Sequence, residues 1–151
     1  GKGTLYVLRA FEELYKADKR FYLRIAYGNL PENWHHEKCE IVIPQNDSEL
    51  ADYYRSLDVL VAPGTIQHGA PHYPVMEGLA CGVPVVTTGY LCASESTAWL
   101  VKNKDVDSIC HAINAIISDS NFTQQKIENG VRLMAAYSWD NVAGSFIKHF
   151  R

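Results

Sequence analysis

The sequence predicts an α/β fold built around a mainly parallel sheet. Two apolar runs, DVLVA (58–62) and VPVVTT (83–88), flank a helix-like stretch, PVMEGLACG (74–82). Continuous apolar strands on either side of a helix are typical of a parallel sheet buried on both faces. Strand and helix patterns alternate along the rest of the chain, which favours the same class. Ligands of such sheets bind beyond the carboxyl ends of the strands, so we expect a site in the loop Pro63–Tyr73.

Length and composition indicate an ordinary globular chain. We expect its 151 residues to form a single domain, 1–151. The net charge of −3 gives no electrostatic footprint for nucleic acid. No apolar run is long enough to span a membrane, and the first residues do not resemble a signal peptide. The cysteines lack a C-x-x-C pair or other metal spacing, so we expect no metal site and reduced thiols in a cytoplasmic protein. They are Cys39, Cys81, Cys92 and Cys110.

Hydrophobic periodicity and capping signals predict the remaining elements. The connector at 29–38 is polar, and we expect it to be a solvated loop. The predicted elements are helices at 3–15, 48–57 (N-cap Ser48), 106–117 (N-cap Asp105), 121–137 and 139–150, and strands at 21–27, 40–44 and 99–101.

The helix that begins near Pro74 has specific end signals. Proline suits the first helical position, and Gly82 stands where a left-handed residue commonly ends a helix. The N–H groups at the helix start could bind an anion, most naturally a phosphate. Glu77, predicted in the first turn, could bind a pair of ligand hydroxyls, or it could merely complement the helix dipole.

Two segments resemble a known family. PVMEGLACGVPVV (74–86) is similar to the E-G-F-G-x-P-x-x-E-A-x-A-x-G-x-P-V-V segment of retaining GT-B glycosyltransferases, the glycogen-synthase-like group 1 families. ELADYYRSLDV (49–59) is similar to their E-L-x-x-Y-Y-x-x-A-D-V segment. The resemblance implies a Rossmann-like three-layer α/β/α domain, the C-terminal nucleotide-sugar-binding half of such an enzyme. The first segment matches in register at Pro74, Glu77, Ala80, Gly82, Pro84, Val85 and Val86.

The resemblance also implies roles for individual residues. Glu77 would contact the donor ribose, and the helix start together with Lys2 would bind the diphosphate. The loop at 44–46 would lie beside the base, although turn formation explains Gln45 and Asn46 equally well. The predicted donor-binding residues are Lys2, Pro44, Gln45, His72, Tyr73, Pro74, Val75, Glu77 and Gly89.

The chain departs from the family pattern at three places. Gly69 stands where the first glutamate of the Glu-x7-Glu motif would fall, and His68 or His72 could replace its polar contact. Pro71 and His72 stand where the family has Phe-Gly. Tyr90, Leu91 and Cys92 follow Gly89 where the family has G-G-x-P-E, and we expect bulk in this loop to narrow the donor pocket or change its sugar preference.

The implied function is donor binding in a retaining glycosyltransferase. The donor would be a nucleoside-diphosphate sugar, with no other cofactor. The partner would be an N-terminal acceptor-binding domain, so we expect this chain alone to be inactive; a peripheral membrane association of the full-length enzyme stays open. The alternatives are an inactive Rossmann-like binding or interaction domain, which Gly69 favours, and a sugar-nucleotide epimerase of the same fold.

The resemblance implies a gap in the sheet. The family's first strand, usually central, precedes the position of Lys2. Either the strands that follow Arg20 and Asp58 pair directly, or another segment or chain fills the gap.

Overall fold

The computed structural model describes residues 3–64 and 71–137 and confirms the α/β class. Lys2, His68, Gly69 and the helix predicted at 139–150 lie outside the described residues. The helices are α1 (Thr4–Ala17), α2 (Asp47–Arg55), α3 (Tyr73–Ala80), α4 (Val106–Ser118) and α5 (Ser120–Ala136). The strands are β1 (Leu23–Ala26), β2 (Cys39–Val42), β3 (Leu60–Ala62), β4 (Val85–Thr87) and β5 (Trp99–Leu100).

Helices cover both faces of the strands. Successive side chains of a strand point to opposite faces, and β4 shows the two sides clearly. Val85 belongs to an apolar cluster with residues of α2, α3 and α5, whereas Val86 belongs to one with residues of α1 and α4. Both valines are fully buried. The predicted three-layer α/β/α arrangement is therefore confirmed.

The strands form two parallel sheets within the described residues. β1 pairs with β2, and β3–β4–β5 form the second sheet. The facing edges, β1 and β3, do not pair in this part of the chain, so the first of the two alternatives, direct pairing, is wrong. A cleft of about 510 Å³ lies between them, and its lining includes Leu14 of α1 and Ile113 of α4.

A tyrosine side chain occupies the open edge of β1. The Tyr53 hydroxyl donates to the Arg24 carbonyl oxygen at 3.0 Å and accepts from the Ala26 amide. The backbone groups of alternate residues on a strand point to the same side, so this one hydroxyl satisfies a donor and an acceptor that a neighbouring strand would otherwise bind. This side-chain capping is a physical reason why β1 is stable without pairing to β3.

The connector at 29–38 is a mostly exposed loop, as predicted, but two of its aromatic side chains pack on α1. Trp34 Nε1 donates to Glu12 Oε1 at 2.7 Å. The ring of His36 lies 4.8 Å from that of Phe11 and 4.7 Å from that of Tyr15, both edge-on. Edge-to-face aromatic pairs add about 0.5–1.5 kcal/mol to the free energy gained from the area they bury. The polar composition of the loop did not indicate that Trp34 and His36 would pack on α1.

The capping predictions had mixed outcomes. Asp105 is the N-cap of α4, as predicted, and its side chain accepts from the Ser108 amide at 2.9 Å. Ser48 is not the N-cap of α2, because Asn46 fills that role and accepts from the Glu49 amide at 2.9 Å. Asparagine caps at least as well as serine, so the helix starts at the earlier of the two signals.

α3 is buried along most of its length, and a glycine lets it approach the sheet. All residues from Val75 to Ala80 are buried. A Cβ atom added to Gly78 would lie 2.5 Å from Leu60 Cδ2 and 3.2 Å from Val85 Cγ2. α3 ends at Ala80, and just past its end Gly82 has the left-handed conformation that the sequence predicted, with φ 74°. The Gly82 amide donates to the Leu79 carbonyl, and the Val83 amide donates to the Gly78 carbonyl.

We expect Tyr53→Phe to lower the free energy of unfolding by about 1–3 kcal/mol, because it leaves the Arg24 carbonyl and the Ala26 amide without this partner. Urea unfolding of both proteins measures the difference. Tyr22→Phe is the matched control, since the Tyr22 side chain is exposed and makes no hydrogen bond among the described residues. A loss no larger than that of the control would contradict the role of the Tyr53 hydroxyl.

We expect Gly78→Ala to destabilise the chain by about 1–3 kcal/mol through overpacking, although alanine favours helix by up to ~1 kcal/mol. The same substitution should cost less in a Leu60→Val background, because valine lacks the methyl group that the new Cβ would meet. Thermal unfolding of the single and double variants measures this coupling. Stabilisation by Gly78→Ala, which helix propensity alone predicts, would show that the contact with Leu60 is not limiting.

Candidate functional site

The carboxyl ends of β3 and β4 meet beside the start of α3. The loop that follows β3 is joined to the loop that follows β4 through Thr88. The Gly64 amide donates to Thr88 Oγ1 at 2.9 Å, and that hydroxyl donates to the Gly64 carbonyl oxygen at 2.9 Å. The described ends of the predicted binding loop, Pro63–Gly64 and Pro71–Tyr73, therefore lie at this edge; residues 65–70 are outside the described chain.

The first turn of α3 is suited to an anion. Its N-cap residue, His72, is extended and makes no side-chain capping hydrogen bond. The helix begins at Tyr73, whose side chain is 55% exposed, and Pro74 is the second helical residue, one place later than predicted. The N–H groups of a first turn lack intrahelical acceptors and carry the positive end of the helix dipole.

Glu77 is buried beneath this turn. It is the fifth residue of α3, so the prediction of a first-turn position is wrong, and so is the interpretation that Glu77 complements the helix dipole there. The residue is only 7% exposed and is hydrogen-bonded to the Tyr54 hydroxyl of α2. Since phenols retain their proton at neutral pH, Tyr54 donates this bond.

Burial controls the protonation of Glu77. Desolvation raises the pKa of Glu77 above its ordinary value near 4.5, the hydrogen bond from Tyr54 opposes that rise, and the charge of Asp47 adds to it. Burial also raises the pKa of Tyr54, with a further contribution from Glu77. Glu77 forms no salt bridge with any residue in the described ranges. The site therefore holds a costly buried carboxylate with capacity for further hydrogen-bond donors.

The loop that would lie beside the base is fixed by local bonds. The Gln45 amide donates to Glu49 Oε2 at 2.6 Å, and Gln45 Nε2 donates to the Ile43 carbonyl at 3.0 Å. Pro44 is buried, and its carbonyl accepts from the Tyr27 hydroxyl at 3.4 Å. Gln45 and Asn46 therefore both have local structural roles, Gln45 through these bonds and Asn46 as the N-cap of α2. Asp47, next in the chain, is close enough to affect Glu77, so the loop and the carboxylate share one side of the fold.

Two aromatic residues complete the site, and neither was assigned a ligand contact from sequence. Tyr54 lies in the segment ELADYYRSLDV, but the motif did not reveal its bond to Glu77. Tyr90 follows Gly89, which has φ 125°, and its ring stacks on His72 with the centroids 4.3 Å apart. The structure thus brings together the predicted residues around α3 and Gly89.

Among residues 3–64 and 71–137, no three His, Cys, Asp or Glu side chains are grouped so that they could hold a metal ion. The four cysteines are free thiols. None of the helices described here is long and apolar enough to cross a membrane.

The sequence matches a family model described as "Glycosyl transferases group 1" over residues 1–119. The chain belongs to the group 1 glycosyltransferases. It is 31% identical over 105 residues to a protein of Sulfolobus islandicus filamentous virus (isolate Iceland/Hveragerdi) provisionally named glycosyltransferase 45. That match covers 70% of this chain and 28% of the viral protein, so this group 1 chain spans little more than a quarter of its relative.

Solved structures of low sequence identity share the fold. The C-terminal domain of the group 1 glycosyl transferase LpcC from Francisella tularensis has a TM-score of 0.76 at 18% identity, covering 92% of this chain and 81% of that one. Anabaena Alr3699/HepE, solved in complex with UDP-glucose, has a TM-score of 0.73 at 14% identity, covering 99% and 44%. Sucrose-phosphate synthase from Thermosynechococcus elongatus has a TM-score of 0.65 at 20% identity, covering 92% and 40%.

We expect the stability of the wild-type chain to fall relative to Glu77→Gln as the pH rises. Because the folded-state pKa of Glu77 is raised, the folded protein binds more protons than the unfolded one just above pH 4.5. The stability that protonated Glu77 provides below that pH is therefore lost as the pH rises through the pKa of the folded state. Glutamine has no titratable proton in this range, so Glu77→Gln does not show this loss. Urea unfolding of both proteins between about pH 4 and 8 measures the difference.

Glu13→Gln on α1 is the control for this titration, since its side chain is 58% exposed. The difference between wild type and Glu13→Gln should change little over the same range. A difference between wild type and Glu77→Gln that is equally independent of pH would contradict a raised pKa at Glu77.

Proposed function

We propose that this chain is the donor-binding domain of a retaining glycosyltransferase and that it binds a nucleoside-diphosphate sugar. The buried carboxylate of Glu77 carries the proposal. Burying an ionisable group without a cationic partner is costly unless hydrogen bonds compensate, and Tyr54 supplies one. A pair of ribose hydroxyls would supply two more, as acidic residues accept them in other nucleotide-binding α/β folds.

The first turn of α3 would hold the diphosphate. The N–H groups of Tyr73 and Val75 belong to this turn, and Pro74 contributes none. Lys2 would add a positive charge to the same site. Gly89 would let the backbone after β4 approach the phosphates, because glycine has no side chain to block the approach. Its φ of 125° is also a conformation that other residues rarely adopt.

The base would lie beside the loop at Pro44 and Gln45. Local hydrogen bonds hold this loop without a ligand, which would lower the entropy cost of ordering it on binding. A prearranged loop and a buried carboxylate on the same side of the fold suit the two ends of a nucleoside. His72 would be placed near the sugar, since it stands immediately before the diphosphate-binding turn.

Transfer to an acceptor would need a second domain. GT-B enzymes place their active site in the cleft between two domains, and this chain spans 44% of Alr3699/HepE and 28% of its viral relative. The cleft between β1 and β3 also has room for one further extended segment, which would pair with β3 and, by displacing the Tyr53 hydroxyl from the Arg24 carbonyl and the Ala26 amide, with β1. We therefore propose that the full-length enzyme supplies both the acceptor site and this strand.

The proposal predicts saturable nucleotide binding that depends on Glu77. Calorimetric titration of the chain with UDP, GDP, ADP and dTDP should find one preferred nucleotide. Glu77→Gln keeps the volume of the side chain but replaces a charged acceptor, so we expect its affinity to fall by roughly tenfold or more. Glu13→Gln, on the opposite face of the sheet, should bind like the wild type.

A comparison of ribonucleotide and 2′-deoxyribonucleotide binding tests whether Glu77 contacts the ribose. Removing the 2′-hydroxyl from the preferred ribonucleotide should weaken binding to the wild type but change little in Glu77→Gln, since the partner is already altered. Equal losses in both proteins would show that Glu77 does not bind the ribose. If none of the four nucleotides binds this chain or the full-length protein, the proposal of donor binding is wrong. The inactive Rossmann-like interaction domain then becomes the better interpretation of the chain.

A further inference from the structure

The Tyr90 side chain bridges the end of β3 and the start of α3. Its ring stacks on that of His72, with the centroids 4.3 Å apart and the planes 30° apart. Its hydroxyl lies directly against Gly64, because a Cβ atom added there would fall 1.5 Å from the Tyr90 oxygen. Only glycine at position 64 leaves the space that the tyrosine occupies.

The position of this ring is set by the framework around it. Thr88 ties the loop that carries Tyr90 to both the amide and the carbonyl of Gly64. One residue earlier, Thr87 Oγ1 donates to the Ala62 carbonyl at 2.9 Å. Tyr90 is half-buried and packs against the apolar cluster that includes α3. The ring is therefore a fixed wall of the site and not a free surface side chain.

We propose that Tyr90 determines how much room the site leaves for the sugar of a nucleoside-diphosphate sugar. This inference rests on the proposed function, in which the first turn of α3 binds the diphosphate. The sugar is bonded to the second phosphate and so must lie within a few ångströms of that turn. The ring stacked on His72, the residue before the turn, occupies space on this side, so the site accepts a compact sugar and rejects a bulky one.

The bulk of the ring, and not its hydroxyl, carries the selection. Tyr90→Gly would open the space that the ring fills, whereas Tyr90→Phe would keep the ring and its stacking on His72. The two variants therefore separate steric exclusion from a hydrogen bond to the ligand. A pocket that rejects one bulky group commonly discriminates by roughly tenfold or more.

The test compares nucleoside diphosphates with their hexose conjugates by calorimetry. The pairs are UDP with UDP-glucose, GDP with GDP-mannose, and ADP with ADP-glucose. For the pair that binds, the ratio of the conjugate's Kd to that of the free nucleotide should fall by about tenfold in Tyr90→Gly. In Tyr90→Phe the ratio should stay at the wild-type value. An unchanged ratio in Tyr90→Gly, or an equal fall in both variants, would overturn the inference.

A second measurement tests the contact without any ligand. Gly64→Ala should lower the Tm of the wild-type chain, because the new Cβ meets the Tyr90 hydroxyl, and should have little effect in a Tyr90→Gly background. Equal losses in both backgrounds would overturn the geometry on which the inference depends. If all variants keep their fold and no nucleotide binds to any of them, the proposed function itself is wrong. If nucleotides bind but the ratio of the two Kd values is the same in Tyr90→Gly as in the wild type, only the inference about Tyr90 is wrong.

Discussion

The close approach of α3 to β3 and β4 is the constraint on which the site depends. Gly78 has no side chain, so the helix lies directly against Leu60 and Val85. The helix is buried from Val75 onward, and Glu77 is carried into the interior with it. A wider spacing would let water reach the carboxylate, and its raised pKa would disappear. The packing of Gly78 against the sheet thus contributes to the raised pKa of Glu77.

The parallel arrangement of the strands gathers the remaining parts. Parallel strands direct their carboxyl ends to one edge, where the loops after β3 and β4 meet the first turn of α3. Thr88 fixes the two loops together through its single hydroxyl. α2 contributes Tyr54 from one layer of helices, together with Asp47 at its start. Segments distant in sequence therefore meet around α3, and α2 supplies the groups that act on the Glu77 carboxylate.

The sequence predicted what depends on local periodicity and on terminal signals. Both strands beside α3, its glycine stop at Gly82 and the cap at Asp105 follow from residues that are neighbours in the chain. The cap at Asn46 was missed because two good capping residues stand close together, and geometry decides between them. The packing of Trp34 on α1 was missed because the polarity of a loop says little about its few aromatic residues.

Sequence patterns could not predict contacts between residues that are far apart in the chain. Tyr54 and Glu77 lie on different helices, and neither helix alone indicates that the two side chains meet. The stacking of Tyr90 on His72 joins two loops in the same way. The family motif drew attention to Glu77, but its burial and the effect of Asp47 are properties of the assembled structure.

The division of the strands into two sheets has a consequence for the cooperativity of folding. No backbone ladder connects β1–β2 to β3–β4–β5 in the described chain, and α1 packs with α4 although it precedes β1 in sequence. The smaller sheet can therefore open without breaking a strand hydrogen bond of the larger one. Such units unfold locally at a lower free energy than the whole molecule. Local opening of β1–β2 would therefore displace the loop at Pro44 while leaving the strand hydrogen bonds beneath α3 intact.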